Sequence, residues 1–543
     1  MANGVCPMPT IAARRLTRAV LPRRLARRQA PRVTPPTART LPALLRAAAR
    51  TEPDAQAFCY RSERLTYADW DALADRVAAG LSARGVGRGD VVALLLPSTP
   101  FYLVAYLGAA RLGAVTTGIN VRYRRTEIAH IVARAAPRLV LAVDGWHDTD
   151  FRAVLAGLDV PVCWLDAERL RASTRETAET FGTGAPPAVA VAPDDPVAIV
   201  FTSGTTGAPK GAWYAHASLL ALAAIEARRH GSVPPPRTHL AAGISFAHVG
   251  TMARIAIQIG QRGCTIVHDA FDPAAVLAAI EAWRLEHLGA FPTQIVMLLD
   301  HPDRPRRDLS SLRSVLLGGA PSPPELIRRV EATLGVTVSV RYSSTEVGIA
   351  TASAPDDPPE LLATTVGRPT PGVELRIVDQ HGRALPPGEP GEVVVRSPAT
   401  MRGYWRDPEA TAATIDAHGW VHTGDVGFLD AAGYLHLRGR SSEMFIRGGF
   451  NVYPAEIEAR LAQHPKVARA AVVGLPDPVY GEVGWAFVVP RDPADPPTLA
   501  ELRAFVGAEL ASFKRPDGLT LLPELPLTAM FKVDKRALAA RGR

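Results

Sequence analysis

Apolar residues in the first third of the chain follow two alternating patterns, one helical and one typical of buried strands. A helix is predicted to begin at Thr66, because Thr66 and Asp69 match a capping box, and to end before Gly85. Unbroken apolar runs predict strands over 91–96, 114–119 and 139–143, with helices between them over 101–112 and from about residue 127. Strands that alternate with helices predict a largely parallel sheet covered by helices.

The pattern changes twice further along the chain. Residues 184–195 are rich in Pro and Ala and predict a connection, after which residues 197–202 predict a strand that runs into a glycine-rich loop. From about Val366 short apolar runs are separated by Pro-Gly and Ala-Gly turns, which predicts a β-rich subdomain. From about Ser441 helices and strands mix again over roughly a hundred residues, enough for a small separate domain.

These patterns together predict an α/β protein with unequal domains. The large N-terminal domain, residues 41–440, is expected to hold mixed sheets, flanking helices and the β-rich subdomain. A small α+β C-terminal domain is expected over residues 441–543. Residues 1–40 are rich in Arg and predict a disordered tail.

The composition agrees with several packed domains and gives no support for a nucleic-acid partner. A chain of 543 residues with 47% hydrophobic residues is too long for one ordinary domain and too apolar for a disordered protein. Lys and Arg number 61 against 53 Asp and Glu, but residues 1–50 contain eleven Arg and no acidic residue. The rest of the chain is near-neutral, so the formal charge of +8 does not indicate nucleic-acid binding.

The Arg-rich start has two interpretations. It is similar to an organellar transit peptide, but its prolines would break the amphipathic helix that such a peptide needs. A disordered tail or an upstream start codon is therefore favoured.

Rare residue types add information about the compartment. Only five of the basic residues are Lys, which indicates a GC-rich, bacterial genome and makes each lysine informative, because Arg would serve for solubility. The four Cys are distant in sequence and form no CxxC pair, which supports neither a zinc site nor a disulfide framework and is typical of the cytoplasm. No apolar run reaches the roughly 18 residues that span a bilayer, so no integral membrane segment is expected.

The loop after the strand 197–202 has the chemistry of a phosphate site. Residues 201–211 read Phe-Thr-Ser-Gly-Thr-Thr-Gly-Ala-Pro-Lys-Gly, in a spacing that differs from the P-loop. Glycines let the backbone approach an oxyanion, while hydroxyls, amides and the lysine attract it. A merely flexible turn would not require a lysine. We predict a polyphosphate site made by Thr202, Ser203, Gly204, Thr205, Thr206, Gly207 and Lys210.

At this loop the sequence resembles the adenylate-forming superfamily, which includes acyl-CoA synthetases, adenylation domains of peptide synthetases and beetle luciferase. The resemblance covers about residues 40–543 and rests on several motifs in the order that the family has. It implies a large N-terminal domain, a small mobile C-terminal domain and activation of a carboxylic acid by ATP. Such a reaction needs a divalent cation, here Mg²⁺, and fixed positive groups near the phosphates.

A second motif implies how the nucleotide and the metal are held. Tyr342-Ser343-Ser344-Thr345-Glu346 resembles the family's Tyr-Gly-x-Thr-Glu segment, with Ser343 in place of a common Gly. The resemblance implies that Tyr342 lies against adenine and that Thr345 contacts the α-phosphate. It also implies that Glu346 holds Mg²⁺.

Two further segments complete the expected nucleotide site. Gly318, Gly319 and Ala320 follow a predicted strand over 314–317 and would let adenine or the acyl chain lie on bare backbone. Asp425 precedes Arg440 by a short predicted hairpin, and the family uses an Asp and an Arg to hold the ribose hydroxyls and phosphate.

The resemblance nominates two residues beside the substrate carboxylate. Residues 246–250, Phe-Ala-His-Val-Gly, resemble the segment that places an aromatic residue or His there, which nominates His248. Residues 525–532 resemble the family's final segment, whose lysine reaches the carboxylate and the α-phosphate during adenylation, which nominates Lys532. A compact ammonium can neutralise two anionic oxygens at once.

The segment after Arg440 points to acyl-CoA synthetases rather than adenylation domains. Its Gly-Gly-x-Asn-x-x-Pro-x-Glu-Ile-Glu pattern begins at Gly448 and Gly449, which by resemblance border the pantetheine tunnel of CoA. Lys514 has two interpretations, a contact with the CoA nucleotide or a solvated side chain. Ser442 stands at the hinge position that is commonly Asp or Lys in the family.

Two departures leave three hypotheses open. Phe531 replaces a common Gly before Lys532 and would strain a turn of positive φ, and Ser442 is unusual at the hinge. The chain is a complete acyl-CoA synthetase, or an enzyme that mainly thioesterifies a supplied acyl-AMP, or a non-catalytic nucleotide or acyl-CoA binding protein. Small residues near Gly250 and Gly318 predict a wide apolar pocket for a fatty, aryl or polycyclic acid. The oligomeric state is left open, with a homodimer among the alternatives.

Overall fold

The structure is a computed structural model of the 543-residue chain. It describes residues 38–202, 209–230, 238–242, 245–318, 322, 324–354, 357–528 and 532–542. The Arg-rich start, the tip of the phosphate loop and Phe531 lie outside the described residues. None of the helices within these ranges has the length and apolar character needed to cross a membrane.

The strands are numbered β1 to β27 in chain order. They are β1 Gln56–Tyr60, β2 Glu63–Thr66, β3 Val91–Leu95, β4 Val115–Gly118, β5 Leu139–Val143, β6 Gly145–Trp146, β7 Thr149–Asp150, β8 Val162–Leu165, β9 Pro196–Phe201, β10 Gly211–Ala215, β11 Thr238–Ala242, β12 Cys264–His268, β13 His287–Ala290, β14 Ser314–Leu317, β15 Thr337–Ser344, β16 Gly348–Ala352, β17 Arg368–Pro369, β18 Glu374–Val378, β19 Gly391–Arg396, β20 Gly403–Tyr404, β21 Val421–Leu429, β22 Leu435–Arg440, β23 Phe445–Arg447, β24 Phe450–Val452, β25 Val467–Asp477, β26 Gly481–Pro490 and β27 Gly518–Leu521.

The helices are numbered α1 to α17 in the same way, with short 3-10 turns at Arg304–Arg306 and Ser512–Lys514. They are α1 Leu41–Thr51, α2 Tyr67–Ala83, α3 Pro100–Arg111, α4 Arg125–Ala135, α5 Phe151–Leu155, α6 Ala167–Ala172, α7 Thr174–Glu179, α8 His216–His230, α9 Val249–Gln261, α10 Pro273–Trp283, α11 Pro292–Leu299, α12 Pro324–Leu334, α13 Pro359–Thr364, α14 Pro408–Thr414, α15 Pro454–Leu461, α16 Leu499–Gly507 and α17 Lys535–Arg541.

The first sheet is parallel at its centre and antiparallel at one edge. Its strands run in the order β20-β10-β9-β4-β3-β5-β8. The pairs β4–β9, β3–β4, β3–β5 and β5–β8 are parallel, and β10 pairs antiparallel with β9 and β20. α3 beside this sheet is buried along its whole length, which explains why its sequence has no polar face. The predicted helix-covered, largely parallel sheet is confirmed.

Two more sheets complete the core of the large domain. One has the order β13-β14-β15-β16-β17 and the other β11-β12-β1-β2. β13, β14 and β15 run parallel, so the ends of these strands meet at one edge, where binding residues of open α/β sheets commonly lie. Here that edge carries Gly318 and Tyr342.

Between Val366 and Arg440 the strands pair antiparallel, as expected of the predicted β-rich subdomain, while the domain boundary at Ser441 stays a prediction. Strands β18-β19-β21-β22 form an antiparallel sheet joined by tight turns. The smaller C-terminal domain has the sheet β24-β23-β26-β25, with β27 parallel to β26, and α15, α16 and α17 pack near it. Its buried apolar residues form clusters separate from those of the large domain.

The predicted ends of helices and strands agree best with the structure where the side chain and the backbone favour the same conformation. α2 begins after Thr66 with the predicted capping box, in which the Asp69 amide donates to Thr66 Oγ1 at 3.1 Å and the Thr66 amide to Asp69 Oδ2 at 2.8 Å. Gly85 follows the helix at φ +78°, the left-handed region that ends helices. β5 covers Leu139–Val143 as predicted.

Candidate active site

An open cavity of about 3050 Å³ lies where the large domain meets the C-terminal residues. Pockets for one small ligand commonly measure about 300–1000 Å³, so this space can hold several substrates together. His248, Glu346 and Asp425 of the large domain line it, and so does Lys532 from near the end of the chain. The described side chains of the predicted site therefore face one common space.

Tyr342, Asp425 and Arg440 form a hydrogen-bonded group at one wall. β21 and β22 pair so that Asp425 lies opposite Arg440, and Arg440 Nε is 3.0 Å from Asp425 Oδ1. The Tyr342 hydroxyl donates to Asp425 Oδ2 at 2.5 Å. Burial raises the pKa of Asp425, and the charge of Arg440 opposes this rise. The carboxylate is thus fixed from two sides before any ligand arrives.

Glu346 is held by hydroxyl groups rather than by a cation. Ser344 Oγ donates to Glu346 Oε2 at 3.0 Å, and the Tyr404 hydroxyl donates to Oε1 at 3.1 Å. Within the described part of the chain, Glu346 forms no ion pair with a Lys, Arg or His. Its negative charge is therefore oriented but not neutralised, which fits a carboxylate that receives a divalent cation.

The phosphate loop is closed by a short antiparallel hairpin. β9 and β10 pair Phe201 with Gly211, and the Thr202 amide donates to the Lys210 carbonyl at 2.9 Å. Lys210 Nζ lies 5.1 Å from the centre of the Tyr404 ring, on the tyrosine that holds Glu346. The predicted phosphate ligands Ser203, Gly204, Thr205, Thr206 and Gly207 lie outside the described residues, as do Gly319 and Ala320.

His248 begins α9 at the edge of the cavity. It is the N-cap residue, and its Nδ1 accepts the Gly250 amide hydrogen at an N···N distance of 3.3 Å. Burial, and then the charge of Lys532, lower the pKa of His248 to about 4. The ring is therefore neutral at pH 7 and can remain beside a cation.

Lys532 reaches the same place from the end of a hairpin. Its backbone amide donates to Thr528 Oγ1 at 3.3 Å, and the Thr528 amide donates to the Lys532 carbonyl at 2.7 Å. Burial and the charge of Arg440 lower the pKa of Lys532, while Asp425 and Glu346 act in the opposite direction. The ammonium lies among the charged groups of the predicted nucleotide site.

A pair of ion pairs fixes the helix that follows Lys532. Lys535 Nζ lies 2.7 Å from Glu443 Oε2 and 3.0 Å from Glu458 Oε1. Glu443 is next to the predicted hinge residue Ser442, which is exposed, and the Ser441 amide donates to the Gly424 carbonyl at 2.9 Å. The segment that carries Lys532 is thus anchored beside the hinge.

The predicted CoA residues are not brought to the cavity. Gly448 and Gly449 form the exposed turn between β23 and β24 at φ +57° and +87°, and neither lines the cavity. Lys514 forms an ion pair with Glu456 and is largely shielded, so the interpretation of a merely solvated side chain is wrong. In this arrangement the CoA residues and Lys532 lie at different parts of the C-terminal domain.

Comparisons with known proteins decide the family. The model of the AMP-binding enzyme family matches residues 45–405, and that of the AMP-binding enzyme C-terminal domain matches residues 456–532. The chain belongs to the AMP-binding enzyme family. The adenylate-forming resemblance in the sequence is therefore confirmed.

Several relatives of this AMP-binding enzyme are CoA ligases. It is 39% identical to a 3-[(3aS,4S,7aS)-7a-methyl-1,5-dioxo-octahydro-1H-inden-4-yl]propanoyl:CoA ligase of Mycobacterium tuberculosis, over 93% of this chain and 99% of the relative. It is 35% identical to a feruloyl-CoA synthase of Amycolatopsis, over 91% of this chain and 97% of the relative. The predicted enzyme class, an ATP-dependent acid–thiol ligase, is confirmed.

Solved structures agree with the fold of this AMP-binding enzyme. ATP-bound MatB from Rhodopseudomonas palustris superposes with a TM-score of 0.83 at 30% identity, covering 93% of this chain and 98% of that one. The amide bond synthetase McbA from Marinactinospora thermotolerans gives 0.81 at 32% identity, covering 93% and 100%. The large and small domains predicted from the sequence are thus those of the family.

Several site residues of this AMP-binding enzyme escaped the sequence analysis. Ser344 and Tyr404 orient Glu346. Ser344 belongs to the motif of residues 342–346, so its role could have been inferred from the sequence, whereas Tyr404 is distant from that motif. The cavity wall also holds charged residues, among them Arg254. The wide apolar pocket expected from the sequence stays a prediction, and side chains distant in sequence add charged groups to the cavity wall. Arg254 is the one charged residue in the sequence of α9, which was an available signal.

Proposed function

We propose that this AMP-binding enzyme uses ATP to convert a carboxylic acid to an acyl-AMP and then transfers the acyl group to CoA. The observation that carries the first step is Lys532, buried in the cavity that Glu346, Asp425 and His248 line. A buried ammonium among nucleotide-binding groups is arranged for a reaction that joins two anions. The roles given below to individual residues belong to this proposal.

The first half-reaction joins the acid to the α-phosphate. A carboxylate oxygen attacks the α-phosphorus, the bond to the bridging oxygen of pyrophosphate breaks, and pyrophosphate leaves with the electron pair. Lys532 stabilises the charge shared by the carboxylate and the α-phosphate, and Thr345 contacts that phosphate. Asp425 and Arg440 hold the ribose, Tyr342 and Ser343 lie at the adenine, and Thr202 and Lys210 begin and end the loop for the outer phosphates.

Glu346 is the residue that would hold Mg²⁺. Its carboxylate accepts two hydroxyl hydrogen bonds, and Mg²⁺ commonly combines one or two carboxylates with phosphate oxygens. The ion would supply charge neutralisation at the phosphates. Glu346→Gln should raise the Mg²⁺ concentration needed for half-maximal pyrophosphate release, without a comparable change in thioester formation from synthetic acyl-AMP.

The second half-reaction requires CoA to reach the acyl-AMP. The CoA sulfur attacks the acyl carbonyl carbon, the thiol proton is lost, and AMP leaves with its oxygen. Gly448, Gly449 and Lys514 are the residues proposed to border CoA, and they lie outside the cavity here. We therefore propose that the C-terminal domain, from Ser441 onward, turns about Ser442 between the half-reactions.

The relatives favour ring-bearing acids as substrates. The M. tuberculosis relative is named for a bicyclic dioxo propanoyl group, and others are named for feruloyl and indoleacetate groups. We propose a ring-bearing acid as the substrate and the cytoplasm as the location, where ATP and CoA are available.

Half-reaction assays test this function against its alternatives. Purified enzyme is incubated with ATP, Mg²⁺ and a panel of fatty, aryl and polycyclic acids, with and without CoA. Acid-dependent pyrophosphate release followed by thioester formation is expected. Thioester only from synthetic acyl-AMP would support the enzyme that mainly thioesterifies, and no product from any acid or adenylate would support a binding protein.

A further inference from the structure

The wall of the cavity beyond His248 contains charged and polar side chains where an apolar acid would need none. Arg254 lies on α9, Glu226 on α8, Arg341 on β15 and His239 on β11, and all four line the cavity. Charged side chains inside proteins are rarely retained without a partner, because their desolvation is costly. This polar group, residues 226, 239, 254 and 341, needs an explanation.

Glu226 and Arg341 account for one pair of charges. Arg341 Nη2 lies 2.6 Å from Glu226 Oε1, and both side chains are mostly buried, with 13% and 9% of their surfaces exposed. Their charges compensate each other at hydrogen-bond distance. The retention of these two charges in the cavity wall is therefore explained, because each is the partner of the other.

Arg254 is different, because no described residue forms a hydrogen bond or an ion pair with its guanidinium. Burial and the positive charge of Arg341 lower the pKa of Arg254, and Glu226 offsets only part of this. Its Nη2 lies over Gly289, where a Cβ would be 3.5 Å away. The described residues leave room for this cation but supply it with no acceptor.

His239, which lies beside it, has Gln261 as a hydrogen-bond neighbour but is satisfied at only one side of its ring. Its Nε2 is buried and has no hydrogen-bond partner among the described residues. Burial and the charge of Arg254 lower the pKa of His239 to about 3, so the ring is neutral and adds no negative charge. Arg254 and the Nε2 atom of His239 thus form a polar corner for which the described residues supply no hydrogen-bond partner.

The polar corner lies at a definite distance along α9 from His248, where the reacting carboxylate is proposed to bind. Arg254 is six positions after His248, the N-cap of α9, which corresponds to about 9 Å along a helix axis at 1.5 Å per residue. Both residues line the cavity, so an acid whose carboxylate lies at His248 and Lys532 and whose body runs along α9 brings its far end to Arg254. An acid with one ring or two fused rings has about this length.

We propose that Arg254 binds a second oxygen acceptor of the acid substrate, a carbonyl or carboxylate oxygen at the end remote from the reacting carboxylate. This inference rests on the proposed function and restricts its substrate to acids with a polar far end. Arg254 donates its N–H groups to that oxygen, and His239 lies where it can donate or accept one more hydrogen bond. A plain fatty or alkylcyclohexyl acid would leave Arg254 without an acceptor.

Matched acids test the proposal without any mutation. We compare 3-cyclohexylpropanoate with 3-(4-oxocyclohexyl)propanoate, which adds one carbonyl, and with 4-(2-carboxyethyl)cyclohexanecarboxylate, which adds a carboxylate. The wild-type kcat/KM for pyrophosphate release should be about 10- to 100-fold higher for at least one of the two oxygen-bearing acids, as for hydrogen bonds to charged groups. Which of them is preferred distinguishes a keto acid from a dicarboxylic acid.

Variants assign the preference to Arg254. Arg254→Met should reduce the preference to about threefold or less, and Arg254→Lys should retain part of it, because it keeps the charge but not the fork of donors. The matched control is Arg46→Met, which removes an arginine of α1 that pairs with Asp75 and does not line the cavity, and it should leave the preference unchanged. Far-ultraviolet circular dichroism confirms that each variant is folded.

The outcomes separate this proposal from the function on which it rests. Equal wild-type kcat/KM for the three acids, or a preference that survives Arg254→Met, overturns the role of Arg254 while thioester formation continues. No thioester from any acid overturns the proposed function itself. If Arg254→Met does not fold, the wild-type comparison alone still decides whether the pocket prefers a polar far end.

Discussion

Two regions of the C-terminal domain differ in what they contact. The segment around Lys532 is inserted into the cavity, where the charges of Asp425, Glu346 and Arg440 act on its ammonium. The turn at Gly448 and Gly449 is exposed and lies outside the cavity. Next to this turn Phe450 is 55% exposed, although its ring stacks on Phe513.

Under the proposed function, the two half-reactions belong to different regions of the C-terminal domain. The arrangement described here has the residues for joining acid and ATP together, whereas the residues proposed for CoA lie elsewhere. An exposed apolar side chain such as Phe450 beside two glycines of positive φ is typical of a surface that another surface covers in part of a cycle. Damage to one region should therefore affect one half-reaction and spare the other.

The largest expected effect comes from removing the inserted lysine. Lys532→Ala should lower acid-dependent pyrophosphate release by about 100- to 1000-fold, the range found when one charge-stabilising donor is removed. Thioester formation from synthetic acyl-AMP should change little. Both rates are measured separately, with Lys466→Ala, a lysine paired with Asp495 away from the site, as the control. An equal loss in both half-reactions would contradict the assigned role.

The opposite selectivity is expected at the exposed turn. Gly449 has φ +87°, which a β-branched residue adopts only at a cost of about 1–3 kcal/mol, so Gly449→Val should distort the turn. Thioester formation from acyl-AMP should fall at least about tenfold, with pyrophosphate release nearly unchanged. Gly433→Val, at φ +82° in the β21–β22 turn, is the matched control. Unimpaired thioester formation would show that CoA does not use this turn.

A smaller effect, on the KM for ATP, is expected at the cavity wall that Tyr342, Asp425 and Arg440 form. Tyr342→Phe removes the hydroxyl that donates to Asp425 but leaves Arg440 as its partner, a loss of about 1–2 kcal/mol. The KM for ATP should rise about threefold to tenfold, while kcat changes less. Steady-state kinetics with varied ATP measure this, and Tyr480→Phe at the exposed surface serves as the control. A kcat effect without a KM effect would place Tyr342 elsewhere in the mechanism.

The smallest effect is a difference in pH dependence between the half-reactions. The charged form of Lys532 is the active one, and its pKa is lowered from 10.5, so adenylation should decline with rising pH earlier than an ordinary lysine would allow. His248, with a pKa of about 4, should cause no change between pH 5.5 and 7.5. Pyrophosphate release is followed from pH 5 to 10, and Lys532→Ala should lose the alkaline decline. A break near pH 6.5 would contradict a neutral, buried His248.

Sequence could predict those features whose cause is local. The capping box of α2, the apolar strand β5 and the hairpin that pairs Asp425 with Arg440 follow from residues close in the chain. The contact of Arg254 with Gly289 and its nearness to Glu226 and Arg341 depend on the packing of separate sheets, which no local pattern contains. The insertion of Lys532 likewise depends on where the small domain lies.

The N-cap of α9 also fixes the proton of a catalytic candidate. Because His248 Nδ1 accepts the Gly250 amide hydrogen, the neutral ring must carry its own hydrogen on Nε2. One imidazole tautomer is therefore selected by the start of a helix. The ring offers a bound carboxylate a donor of fixed direction, and it keeps that direction as long as the first turn of α9 is formed.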